Sequence, residues 1–219
     1  MTSPKRYDPY GPVHKGIRAA HMRCLVAIGS TDPNDESEID RLAREITDHL
    51  TMCDTHLHDE NSILHEALEK RRPGASVHAA EDHEDHECSF EELHALLSRL
   101  VSAAAEHRTS ALEDLYRRFI RFVADDLTHM QHEEEVLLRD LQLAFTDDEL
   151  QQLEGQIVAS IAPDHMALFL DAMIEGLPKS ESQAMLEGMK AGMPPEIYRE
   201  IIDAVEGRRS NRHTLERAA

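Results

Sequence analysis

Along this 219-residue chain, apolar residues recur at the three- and four-residue spacing of amphipathic helices nearly from end to end. Ile17, Ala20, Cys24 and Ile28 predict a first helix over 13–29, which Gly29-Ser30 stops. A second, over 35–72, carries Ile39, Leu42, Ile46, Leu50, Cys53, Leu57, Leu64 and Leu68 on its core side and ends at Pro73-Gly74. The third spans 77–105 with Phe90, Leu93, Leu97 and Leu100, and the fourth 110–144 with Leu115, Phe119, Phe122, Leu137 and Leu141. No segment alternates with the period of two that a half-buried strand requires. Long helices on short connections predict an all-α chain, with an up-down-up-down four-helix bundle over 13–144. Residues 1–12 hold three prolines and read as an extended segment. After the bundle, Thr146-Asp-Asp-Glu149 reads as a capping box opening a helix to 162. Pro163, Pro178 and Pro194-Pro195 then punctuate helices near 164–176, 180–191 and 195–206. Together these make a helical extension, 145–206, before a polar flexible tail, 207–219.

Charge and composition narrow the partners. Lys+Arg total 23 against 43 Asp+Glu, a formal charge of −20, which argues against nucleic acid and anionic membrane surfaces. A hydrophobic share of 41% still supports a packed core. No apolar run is long enough to span a membrane, and the first residues lack the apolar stretch of a secretory signal. Cys24, Cys53 and Cys88 are odd in number and far apart, so a reduced, cytoplasmic setting is expected, with Cys53 a buried inert thiol. The feature that demands explanation is 15 histidines beside 4 tyrosines and 5 phenylalanines.

Their placement is informative. His56 and Glu60 lie four apart on the second helix, and His129 and Glu133 repeat the arrangement on the fourth, each pair about 40° apart around its axis. His14 lies on the first helix, and His83 and His86 open the third. His56 follows Cys53 by three residues and His129 follows Phe122 by seven, so both pairs fall on core-facing stripes. An inward carboxylate is costly unless paired or coordinated. Two of them among imidazoles suit a pair of divalent cations: iron, manganese or zinc rather than calcium or magnesium, which prefer oxygen ligands. The other histidines, His21, His49 and His65 among them, are expected at the surface or as partners that orient ligands.

The series His14, His56-x-x-x-Glu60, His83, His129-x-x-x-Glu133 on successive helices resembles the hemerythrin-like (HHE cation-binding) family over residues 10–145. The stretch from Phe122 through HMQHEEEV into FTDDEL is most similar to the hemerythrin domains of iron-sensing F-box ubiquitin-ligase subunits. The resemblance implies two non-haem iron ions, oxo- or hydroxo-bridged, with manganese or zinc as substitutes. It implies His14, His56, Glu60, His83, His129 and Glu133 as ligands, the two glutamates as bridges. Leu57 departs from the iron-sensing type, which has a carboxylate there, and the His83/His86 spacing departs from the oxygen carriers. The seventh ligand stays open between His86, Asp59 and solvent. The implied role is binding or sensing of dioxygen, another diatomic, peroxide or iron. No general acid, base or nucleophile stands out beyond these residues, so binding is favoured over turnover. The alternatives are a di-iron peroxidase or catalase-like enzyme, and an interaction module with a structural metal whose Met-bearing extension docks a protein or a second copy.

Overall fold

A computed structural model of the chain describes residues 6–216, with side chains through Arg212. Residues 1–5 of the extended segment and 217–219 of the tail lie outside it. Every regular element among the described residues is helical. Helix α1 is Gly11–Ser30, and α2 runs over 36–71 with a π-helical segment at Glu60–His65. Helix α3 is Val77–Ser102, and α4 runs over 105–144 with a π segment at Glu133–Leu137. Helices α5 (Asp147–Ser160), α6 (Pro163–Gly176), α7 (Lys179–Gly192) and α8 (Pro195–Glu216) follow. None of them is long and apolar enough to cross a membrane.

Local chemistry sets these ends. The Asp8 carboxylate accepts from the N–H groups of Tyr10 and Gly11 and starts α1 two residues before the apolar pattern does. Asp35 caps α2 by accepting from Ser37 and Glu38, with Glu36 and Glu38 in the first turn complementing the helix dipole. Gly74 ends the connection after α2 at φ +88°, where a side chain would be strained. The third and fourth helices separate at Ala103 and Ala104, earlier than the pattern predicts, because the carbonyl of Ala103 is taken by the Arg108 guanidinium, which also reaches Glu36. The last helix corrects a further expectation, since it continues past 206 to Glu216. Arg209 and Arg212 bond the buried Asp171 of α6, and Arg208 pairs with Asp48, so this polar stretch is held by its charges.

The four long helices contact one another in the cyclic order α1, α2, α3, α4. Each passes from one apolar cluster to another through a polar layer. Entering α1 the order is Tyr10, His14, Ile17, and on α3 it is Ala79, His83, Phe90. Helices α2 and α4 run the opposite way, Leu57, Glu60, Leu64 and Met130, Glu133, Leu137. The larger cluster gathers Ile46, Leu50, Leu93, Leu115, Phe119 and Phe122, and the smaller one gathers Leu64, Leu68, Leu141 and Leu150. Burial of each such side chain contributes roughly 1.5–3 kcal/mol, which is what offsets a polar layer between the clusters. Helix α6 adds Leu168, Phe169 and Ala172 to the larger cluster and packs along α1.

Helix α5 is fastened at its start. Thr146 and Glu149 form a reciprocal capping box, and Glu149 also takes two bonds from Arg71 of α2 at 2.7 and 3.2 Å. Arg71, with the Thr146 N–H and hydroxyl, holds the Glu149 carboxyl down to about 2. A carboxyl depressed in the folded state binds its proton more readily when unfolded. Its contribution is therefore present above the ordinary range near 4.5 and lost as pH falls toward 2. Glu149→Gln is expected to flatten the acid side of the stability profile over that window, read by urea melts at stepped pH. An unchanged slope would mean that the capping box carries no pH-dependent stability.

Candidate metal centre

The polar layer converges on two carboxylates. Glu60 and Glu133 are 2% and 0% exposed, each at the first residue of a π segment. His14 Nε2 lies 3.6 Å from Glu60 Oε1 and 3.4 Å from Glu133 Oε2, and His56 Nε2 lies 3.2 Å from Glu60 Oε1. On the other side, His83 Nε2 is 3.7 Å from Glu60 Oε2 and 3.8 Å from Glu133 Oε1. His129 Nε2 is 3.4 Å from Glu133 Oε2 and 2.9 Å from His83 Nε2. The structure thus brings together His14, His56, Glu60, His83, His129 and Glu133, in two groups that share Glu60 and have the size to hold a metal ion each.

The other two residues left open by the sequence are in neither group, although His86 borders the same void as Glu60, His83 and His129. His86 turns its Nδ1 toward Asp126 at 3.6 Å, because its position three residues after His83 rotates it toward α4 one turn along. Asp59 accepts from Ser160 of α5 through Oδ1. In their place stands His65, whose Nε2 is 3.5 Å from Glu133 Oε1 and whose ring stacks on His83. An α-helix sets residues five apart about 140° from each other. The π segment takes one more residue per turn and returns His65 to the side of Glu60. That is why reading α2 at constant helical period placed His65 elsewhere. Of the histidines expected at the surface or as partners that orient ligands, His21 and His49 are buried, through a bond between them and another to Asp126. His58, His78, His94 and His107 are exposed, as expected.

Hydrogen bonding shows what the cluster fits. Outer nitrogens are tied to oxygens: His14 Nδ1 to Glu134 at 3.0 Å, His83 and His65 to Asn61 at 2.8 and 3.3 Å, and His129 to Asp82 at 3.2 Å. A neutral imidazole that donates outward presents a lone pair inward. The inward atoms His14 Nε2, His56 Nε2, His65 Nε2 and all four oxygens of Glu60 and Glu133 are buried without a hydrogen-bond partner. Acceptors converge with no donors between them, and divalent cations are what such a set lacks.

Without cations, protons carry part of the charge. Burial lowers the His14 pKa, yet Glu134, Glu60 and Glu133 outweigh it and push it up to about 10. Burial raises Glu133, but His65, His129 and His14 hold it down to about 2. His83 is lowered to about 4 by burial. Tyr10 stacks on His14 with its hydroxyl buried and unpartnered, and burial with the charges of Glu133 and Glu60 keeps it protonated. A void of about 10 Å³, edged by His56, His129, Asp126, Leu57 and Phe90, adjoins the cluster and has room for about one water-sized molecule. Comparison of the chain with protein-family models, with curated proteins and with solved structures gives no match.

Proposed function

We propose that the chain is a hemerythrin-type four-helix bundle that holds two non-haem iron ions and binds or senses dioxygen, or senses iron, in the cytosol. The observation that carries this reading is the inward set of seven buried, unpartnered acceptor atoms, three on imidazoles and four on carboxylates, with the outer nitrogens of His14, His65, His83 and His129 already engaged. His14 and His56 would hold one ion and His65, His83 and His129 the other, with Glu60 and Glu133 between them. When bound, such a pair supplies reversible electron transfer to dioxygen or peroxide. The nitrogen-rich donor set suits iron, with manganese or zinc taken according to supply.

The chain's own residues do the rest. Glu134, Asp82 and Asn61 fix the imidazole tautomers, and the apolar clusters above and below exclude bulk water. Tyr10 offers a neutral donor beside the carboxylates, and the small void limits a ligand to a few atoms.

Anaerobic iron loading, metal analysis and an optical spectrum before and after air test this. About two irons per chain and a visible band that comes with air and goes on deoxygenation are expected. In the same assay His65→Ala loses about half the iron while His86→Ala keeps both. Substoichiometric iron with no band would sink the reading, and retention of full iron by His65→Ala would remove that residue from the site.

A further inference from the structure

A second group of ligand-type side chains is buried beyond Asp126 from the carboxylate pair. His21 of α1 and His49 and Cys53 of α2 are 0%, 3% and 5% exposed, and their ligand-capable atoms all lie within 4.8 Å of one another. His21 Nδ1 is 2.8 Å from His49 Nε2, and Cys53 Sγ is 3.7 Å from the same nitrogen. Cys24, one turn beyond His21, is not among them.

The protons decide what this group is for. His21 Nε2 is 2.6 Å from Asp126 Oδ2, an arrangement that keeps the proton on Nε2 and aims the Nδ1 lone pair into the group. A carboxylate behind a histidine in this way is the usual support of a metal-binding imidazole. Burial holds His49 neutral. Without a metal, its one proton sits on Nε2 toward His21 and leaves nothing on that nitrogen to accept the Cys53 thiol proton. Its Nδ1 is buried and unpartnered.

With Zn–N at about 2.0–2.1 Å and Zn–S at about 2.3 Å, a tetrahedral site has N···N edges of about 3.3 Å and N···S edges of about 3.6 Å. The observed His49 Nε2 to Cys53 Sγ separation already fits, the Cys53 sulfur lies within 4.8 Å of His21 Nδ1, and the two nitrogens need to part by about half an ångström. His49 also lines a cavity of about 800 Å³ between α1, α2, α6 and α8, which brings solvent to one side of the group.

We infer that His21 Nδ1, His49 Nε2 and Cys53 Sγ form a separate site for one zinc ion, with Asp126 orienting His21. As the ion binds, the His49 proton passes from Nε2 to its free Nδ1, Cys53 releases its thiol proton to solvent, and no electron is exchanged. The thiolate selects a softer metal here than the nitrogen–oxygen set of the carboxylate cluster does. This inference does not rest on the proposed function.

Cobalt(II) distinguishes the two, because the carboxylate cluster contains no sulfur. The exposed Cys88 is first removed as Cys88→Ser so that it cannot contribute. Metal-free protein titrated with cobalt(II) is expected to develop a near-ultraviolet thiolate-to-cobalt band, which saturates at one equivalent once Glu60→Ala and Glu133→Ala have removed the competing cluster. Adding Cys53→Ser or His49→Gln abolishes the band, with helical circular dichroism confirming the fold. A chain carrying Glu60→Ala and Glu133→Ala keeps the band while losing the other ions. Absence of the band in the folded Cys88→Ser protein, its survival in Cys53→Ser, or its loss with the two glutamates overturns the inference.

Discussion

Glu133→Ala is expected to remove both ions of the carboxylate cluster at once while leaving the metal-free fold intact. Glu133 Oε1 faces His65 and His83, and Oε2 faces His14 and His129, so one residue serves both groups. Its loss should weaken metal binding more than loss of an outer partner such as Glu134, for which about 10–100-fold is the usual cost. The second half of the expectation concerns stability. Both carboxylate oxygens are buried and accept no hydrogen bond, so removing them relieves a desolvated charge while giving up its attraction to His14 and His129, and the chain still folds around its two apolar clusters. His129 loses a counter-charge and titrates lower, which its burial already favours. In the wild type, ions at 1,000 times their dissociation constant add about 4 kcal/mol, roughly 8–16 °C in melting temperature for a chain of this length. With the sulfur-bearing group removed by Cys53→Ser, melting curves with and without metal should therefore separate when Glu133 is present and superimpose for Glu133→Ala. Metal-dependent stabilisation persisting in the variant would show that the ions bind elsewhere.

That test also marks how far the sequence could be read. The constant helical period put His56, Glu60, His129 and Glu133 on inward faces, and geometry puts them there. It could not place His65, because the π segment that brings it round begins at Glu60 and no glycine or proline announces it. His83 and His86 share one acidic run, and only the neighbours on α4 separate them, His129 for one and Asp126 for the other. The burial of His21 and His49 depends on Asp126, which is far away in the chain and has the look of an ordinary surface acid. Likewise the end of α8 reads as a polar tail until Asp48 and Asp171 are seen opposite its arginines. Periodicity reports which face of a helix is apolar. It does not report which charge waits on the neighbouring helix.

The packing of α6 on α1 is the other place where one atom should matter most. Helix α1 carries His14, and Lys15 and Gly16 lie against the end of α6. A Cβ on Gly176 would sit 2.3 Å from the Lys15 carbonyl oxygen, 2.6 Å from its carbon and 2.8 Å from the Gly16 nitrogen. These are backbone atoms, so no side chain can swing aside. Gly16 meets the same crossing from the other side, its Cβ position 2.9 Å from the Met173 nitrogen. Gly176→Ala should gain up to about 1 kcal/mol of helix propensity and lose more to overpacking, about 3 kcal/mol net or beyond, because the helices must separate. For this chain length that is a melting temperature lower by roughly 6–12 °C. Gly155 and Gly188 lie within helices with nothing near a Cβ. Alanine there should raise stability by about 0.5–1 kcal/mol, so the same substitution carries opposite signs within one extension. The displaced α1 also moves His14, so Gly176→Ala should weaken metal binding without touching a ligand, whereas Gly188→Ala should not. Equal melting temperatures for the two variants would mean that α6 does not bear on α1 as closely as these distances require.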